Sequence, residues 1–316
     1  MGQADIFRKI AGPANEELAI VLNIRRLHRT TIEPYILLIQ SGLRLRLLAG
    51  QEKENLLTVG ASFLGQAVGV AVAWQDTERA NLLDLYVLPD YRRAGIGTAL
   101  LAAVEEEARR SGVSALHALY RANEHTPAFE GLLAAQGWTT PRLQSKVFWT
   151  SCSAGYDGWS QRYRFRPPYE PVPWAEITPA ERQAIARRGE EGWYPDNLSP
   201  FNRPDDDWDA ETSLGLRYKG EVVGWLLVVR EFPDQIRVEI MFVDPPLQRL
   251  GRGILLICEM IRRYCNNGEY AGGCNEHCYW RVSPENEGMI RWSQRSFPGR
   301  FTDEYEEWYT EKNLIS

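Results

Sequence analysis

The chain has 316 residues, 44% of them hydrophobic and 25% charged, and a net charge of −6. This composition excludes a disordered chain, which would lack the apolar surface to offset its entropy, and at roughly 150 residues per domain the length suggests two domains. No apolar run approaches the ~20 residues that span a bilayer, so no membrane insertion is expected. Met1-Gly2-Gln3-Ala4-Asp5-Ile6 lacks a signal or myristoylation pattern, which makes the cytoplasm the expected location. Five cysteines, an odd number, read as reduced thiols. Residues 1–155 carry 16 basic and 15 acidic side chains (+1). With 36 and 42 in the whole chain, residues 156–316 carry 20 and 27 (−7). An acidic second half argues against nucleic acid and suits a cationic partner.

In chain order, Gly65-Gln66-Ala67-Val68-Gly69 leads into a strand over Val70–Trp74, and a second strand covers Leu82–Val87. A glycine-rich turn, Pro89 to Gly97, precedes a helix from about Gly97 to Arg110. Leu100, Leu101 and Val104 form its apolar face, with Glu105–Glu107 expected toward solvent. A segment rich in Ser, Gly, Pro and aromatics, Cys152 to Pro173, joins the halves. Trp193 to Phe201 reads as a candidate lid, and Asp205-Asp206-Asp207 as a solvated loop or an acidic lip. The pattern then returns. Gly220-Glu221-Val222-Val223-Gly224 leads into Trp225–Val229, Ile236–Val243 precedes Pro245 to Gly253, and a helix runs to about Cys265. Pro89/Pro245, Arg93/Arg249, Gly95/Gly251, Gly97/Gly253 and Leu100/Leu256 all lie 156 residues apart, which marks a tandem duplication. Cys274 to Cys278 holds two thiols and one imidazole without metal-pair spacing, so no metal is expected.

Glycines between a strand and a helix let the backbone turn tightly and leave several N–H groups pointing one way. The positive helix end adds to a site suited to pyrophosphate. No Gly-Lys-Ser/Thr string makes a P-loop, and Leu100 and Leu256 stand where a dinucleotide fingerprint needs its third glycine.

Val87-x-Pro89-x-Tyr91-Arg92-Arg93-x-Gly95-Ile96-Gly97-x-x-Leu100 resembles motif A of the GCN5-related N-acetyltransferase (GNAT) superfamily. Val243-Asp244-Pro245-x-x-Gln248-Arg249-x-Gly251-Arg252-Gly253 is similar to the same motif. The resemblance implies two tandem α/β domains, each built on an α+β mixed sheet, at 1–152 and 153–316. It implies acetyl-CoA or a longer acyl-CoA as cofactor. Backbone amides of Arg93, Ala94, Gly95, Ile96, Gly97 and Thr98, and of Arg249, Leu250, Gly251, Arg252, Gly253 and Ile254, would hold the pyrophosphate. Arg92 and Gln248 take the first motif position. Leu85, Tyr86 and Val87, and Met241, Phe242 and Val243, would pair with the pantetheine arm, the Val87 or Val243 amide polarising the carbonyl. Asn123 and Asn286 resemble the asparagine near the thiol end.

Acyl transfer to an amine needs a base, carbonyl stabilisation and a proton for the leaving thiolate. The family's strand carboxylate implies Glu239 as base in the second half, or Asp84 in the first. Its usual tyrosine acid is missing. Seven residues after each asparagine stand Glu130 and Ser293, which leaves Ser293, Tyr305, water or an unprotonated thiolate. His125, an isolated histidine two past Asn123, is a separate candidate for a catalytic role. The acidic second half is preferred as the catalytic one. Expected acceptors are a small-molecule amine or a basic peptide, with a fainter resemblance to tandem maturases that acylate lysine or ornithine side chains. A homodimer stays open. The alternative is a non-catalytic acyl-CoA sensor or scaffold.

Overall fold

The computed structural model describes residues 22–49, 55–151, 159–232, 235–266 and 277–315. Cys274 and the first part of the joining segment, residues 152–158, lie outside them. The first strands are β1 (Leu22–Arg26), β2 (Leu56–Phe63), β3 (Gln66–Gln75), β4 (Arg79–Val87), β5 (Ala115–Arg121) and β6 (Arg142–Ser151). They are followed by β7 (Tyr169–Pro173), β8 (Leu214–Tyr218), β9 (Glu221–Phe232), β10 (Gln235–Val243), β11 (His277–Val282) and β12 (Asp303–Asn313). The main helices are α1 (Ser41–Ala49), α2 (Ile96–Arg110), α3 (Thr126–Ala135), α4 (Pro179–Glu190), α5 (Arg252–Asn266) and α6 (Glu287–Ser296).

The chain divides into two compact units, residues 1–144 with 307–316, and residues 145–306. The division therefore falls earlier than 152, and the C-terminal strand counts with the first unit. Strand pairing gives the reason. In unit 1 the order is β1-β2-β3-β4-β5-β12, antiparallel except for the parallel pair β4/β5, and β12 closes the sheet against β5 from Glu307↔Arg121 to Asn313↔Ala115. Unit 2 repeats this as β7-β8-β9-β10-β11-β6, with β10/β11 parallel and β6 taking the last place from His277↔Ser151 to Val282↔Lys146. Each repeat thus gives its final strand to the other's sheet.

Alternation along the strands sends side chains to two cores per unit. In unit 1, Ala71 and Ala73 face α2 with Leu100, Leu101 and Val104, whereas Val70 and Val72 face Tyr35 and Ile39. In unit 2, Leu226 and Val228 pack with α5, and Trp225 and Leu227 with Trp174, Ile185 and Trp208. Helix α2 buries Ile96, Leu100, Leu101, Val104 and Ala108, and each full leucine burial contributes about 1.5–3 kcal/mol. Glu105 departs from the solvent-facing expectation. It is 3% exposed, accepts the indole N–H of Trp138 at 3.0 Å, and pairs with Lys312 of β12 at 2.5 Å. The Trp193–Phe201 segment is no free lid either. Tyr194 is buried, and Trp193 meets Trp225 and Phe242 edge-on at 5.6 and 5.1 Å while its indole donates to Asp244. Asp205 of the acidic run is paired with Arg182 at 2.7 Å.

Candidate active site

In both units the parallel strands part before they end. β4 and β5 stay in register only to Leu82↔Ala118, and β10 and β11 only to Val238↔Trp280. Beyond those points the facing edges of Leu83–Val87 and of residues 239–243 have no β5 or β11 partner. A single extra residue bulges each departing strand, Leu83 opposite Val72/Ala73 and Glu239 opposite Val228/Leu227. Glu239 is therefore the counterpart of Leu83, not of Asp84.

The turns that follow share one device. The Arg92 Nε donates to the carbonyl of Val87 at 2.9 Å, and the Gln248 Nε2 donates to that of Val243 at 2.8 Å. Both anchor the turn to the strand end. Gly95 and Gly251 are left-handed, at φ +78° and +71°, a conformation that costs a side chain roughly 1–2 kcal/mol. Gly224 beneath the second turn is needed for a different reason, since an added Cβ would lie 2.6 Å from the Phe242 carbonyl oxygen.

The turns then differ. In unit 1, Arg93 is also left-handed, φ +67°, and none of the amides from Arg93 to Thr98 donates to a backbone oxygen among the described residues. Six N–H groups are left at the mouth of α2. In unit 2, Pro245 and Pro246 open a one-turn helix, Pro245–Gln248. Its continuation draws the Leu250 and Gly251 amides to the carbonyls of Leu247 and Gln248 at 3.1 and 3.2 Å. Arg252 lies over the Tyr169 ring at 4.1 Å, and Ile254 is half-buried. Two prolines at a helix start are the sequence signal that foretells this difference.

Two clefts lie against the first turn and the strand beside it. A cleft of about 690 Å³ in unit 1 is lined by Leu85, Tyr86, Val87, Arg92, Arg93, Gly95, Ile96, Gly97 and Thr98, facing Phe129 and Leu132 of α3. Ala94 packs inward on the core. A second cleft of about 400 Å³ adjoins it where β4 and β5 part, and holds Gln40, Asp84, Tyr120 and Asn123. Asp84 accepts the Gln40 amide N–H at 2.9 Å, and burial raises its carboxyl above the usual aspartate range. The Tyr120 hydroxyl donates to Glu130 at 2.6 Å, and burial pushes its titration upward. Spacing alone singled out Glu130 but not its tyrosine partner on β5. Asn123 accepts the His125 amide at the start of α3.

In unit 2 several of the equivalent residues have internal partners. Met241 and Trp292 lie 3.5 and 3.7 Å from where a Gly253 side chain would begin, and Leu132 lies 3.5 Å from the same point at Gly97 in unit 1. Phe242 and Val243 are buried in the two cores. Glu239 is paired with Arg203 at 3.1 Å and with Arg237. Asn286 caps α6 by accepting the Met289 amide at 3.0 Å. The Ser293 hydroxyl, fully buried, accepts the Trp280 indole N–H at 3.0 Å. Tyr305 stands half-buried on β12.

A parted parallel pair, a glycine turn and a long helix, present twice, define a tandem acyltransferase fold. The chain belongs to the acetyltransferase (GNAT) family, whose model matches residues 25–130 and 174–297. Members of this family transfer acyl groups from acyl-CoA to amines. Among solved structures, the chain is similar to a tandem GNAT protein from the clavulanic acid biosynthesis pathway. The identity is 17%, the TM-score 0.61, and the match covers 93% of this chain and 99% of that one. It is also similar to a GCN5-related N-acetyltransferase from Sphaerobacter thermophilus, at 16% identity and TM-score 0.64, over 93% of this chain and 96% of that one. At these identities the likeness is one of fold. No curated protein matches the sequence. Among the described residues, no helix is long and apolar enough to cross a membrane.

Proposed function

We propose that the chain is an N-acyltransferase whose first half binds acyl-CoA and acylates a primary amine, either a small molecule or a basic peptide. The observation that carries this reading is the run of six amides, Arg93 to Thr98, that donate to no backbone oxygen among the described residues and open onto a cleft that continues to the half-buried Asp84 carboxylate. A pyrophosphate needs convergent N–H donors, and the helix end adds positive potential. Bound acyl-CoA supplies an activated carbonyl. The free edge of Leu83–Val87 orients the arm that carries it. Asp84, held by Gln40, receives a proton from the incoming ammonium, and its raised pKa suits that task. In the second half two of the turn amides, the glutamate and the serine are engaged internally, which supports a structural role for that half in place of the catalytic one expected from its charge.

Calorimetry with acetyl-CoA and with a longer acyl-CoA tests the reading. One equivalent per chain is expected, and absence of binding at millimolar cofactor overturns it. Mass spectrometry of amines and lysine- or ornithine-containing peptides incubated with each acyl-CoA then tests transfer. Binding without any product or CoA release favours the sensor alternative.

A further inference from the structure

The two clefts of unit 1 share three lining residues, Leu85, His125 and Phe129. Of these only His125 carries an exchangeable side-chain proton. An acyl thioester reaching from the amides of the turn into the cleft that holds Asp84 must pass this junction. Building on the first-half reading, we propose that His125 delivers the proton to the departing CoA thiolate.

The backbone there is fixed while the ring is exposed. Asn123 Oδ1 accepts the His125 amide at 2.8 Å, and the His125 carbonyl accepts the amides of Ala128 and Phe129, both at 3.1 Å. The imidazole is 61% exposed, with Nε2 3.7 Å from the Glu124 carboxylate. The other charged or titratable groups lining the two clefts are Asp84 on β4, Tyr86 and Tyr91, Arg92 and Arg93 in the turn, and Tyr120 and Arg121 on β5. Tyr120 is unsuited to the task because its hydroxyl proton is already committed to Glu130.

The step balances as follows. The ammonium loses one proton to Asp84, and the neutral amine forms the nitrogen–carbon bond. The carbon–sulfur bond breaks with its electron pair on sulfur, which takes the His125 proton. The second nitrogen proton passes to solvent and replaces the one that His125 gave.

CoA alone tests this, because an imidazolium beside a thiol favours thiolate. The ultraviolet absorbance of thiolate is followed against pH for CoA bound to the wild type and to His125→Gln. The thiol is expected to titrate about one pH unit lower in the wild type, a tenfold change in its ionisation constant. Superimposed curves overturn the proposal. A second measurement needs no variant. In histidine-labelled wild type, CoA is expected to raise the His125 imidazole titration followed by NMR, and desulfo-CoA is not. Equal effects of the two ligands overturn the proposal as well. Absence of CoA binding to the wild type defeats the first-half reading itself, a distinct result.

Discussion

At the residue scale, Asp84 and the two turn glycines separate chemistry from architecture. Burial disfavours the ionised Asp84, so its folded pKa lies above its unfolded value. The associated stability is present below the ordinary aspartate value of 3.8 and is lost as pH rises through the raised one. Asp84→Asn keeps an acceptor for the Gln40 amide and removes the charge. The variant is expected to melt higher than the wild type at pH 7, with the gain gone in acid, while acyl transfer falls about 10²-fold or more. Thermal unfolding at two pH values and initial rates check both parts. Gly95→Ala and Gly251→Ala each force a side chain into left-handed backbone and should each cost about 1–2 kcal/mol of stability. Only Gly95→Ala should weaken CoA binding, by tenfold or more in calorimetry, because only its turn leaves all six amides without a backbone acceptor among the described residues. Equal losses in the two variants would show that both turns hold cofactor.

At the element scale, α2 and α4 show how much of each helix is legible locally. The apolar spacing of α2 follows directly from its sequence, but the burial of Glu105 does not, because its partners are Trp138 and Lys312, the latter 207 residues away. Lys312→Met should destabilise unit 1 by about 1–3 kcal/mol, since it strips a buried carboxylate of its closest cation. Denaturant unfolding measures this, and a change below a few tenths would mean that Arg109, 3.6 Å from Glu105, is sufficient alone. Helix α4 starts with a capping box in which Thr178 and Glu181 exchange hydrogen bonds. Thr178→Ala should cost about 1 kcal/mol. Glu181, held by Arg217, titrates at about 2 against 4.5 unfolded. Its contribution is therefore full above 4.5 and lost as pH falls toward 2.

At the scale of the whole molecule, the exchanged strands bind the two repeats into one folding problem. β5 of the first unit has its outer neighbour supplied by the last residues of the chain. Removing residues 303–316 should therefore expose that edge and release Lys312 from Glu105, abolishing CoA binding at a turn some 200 residues earlier in sequence. Calorimetry and circular dichroism on the truncated chain check this. Retention of full CoA affinity would mean that the first repeat closes its sheet without β12.

The sequence by itself determined the duplication, the strand–turn–helix order and the two glycine turns, because spacing, periodicity and left-handed glycines act within one stretch of chain. The paired bulges at Leu83 and Glu239 came only from the strand registers, since the sequence had set Glu239 against Asp84. What remained illegible depends on partners brought together by packing. Ser293 and Glu239 have the side-chain chemistry of catalysts, but Trp280 and two arginines occupy them. The strand exchange and the junction at His125 were decided only by tertiary structure, whereas the bonding of the second turn is local and announced by Pro245-Pro246. Hydrogen-bond partners and cleft walls are long-range facts, and a carboxylate or an amide carries no local mark of whether folding leaves it free.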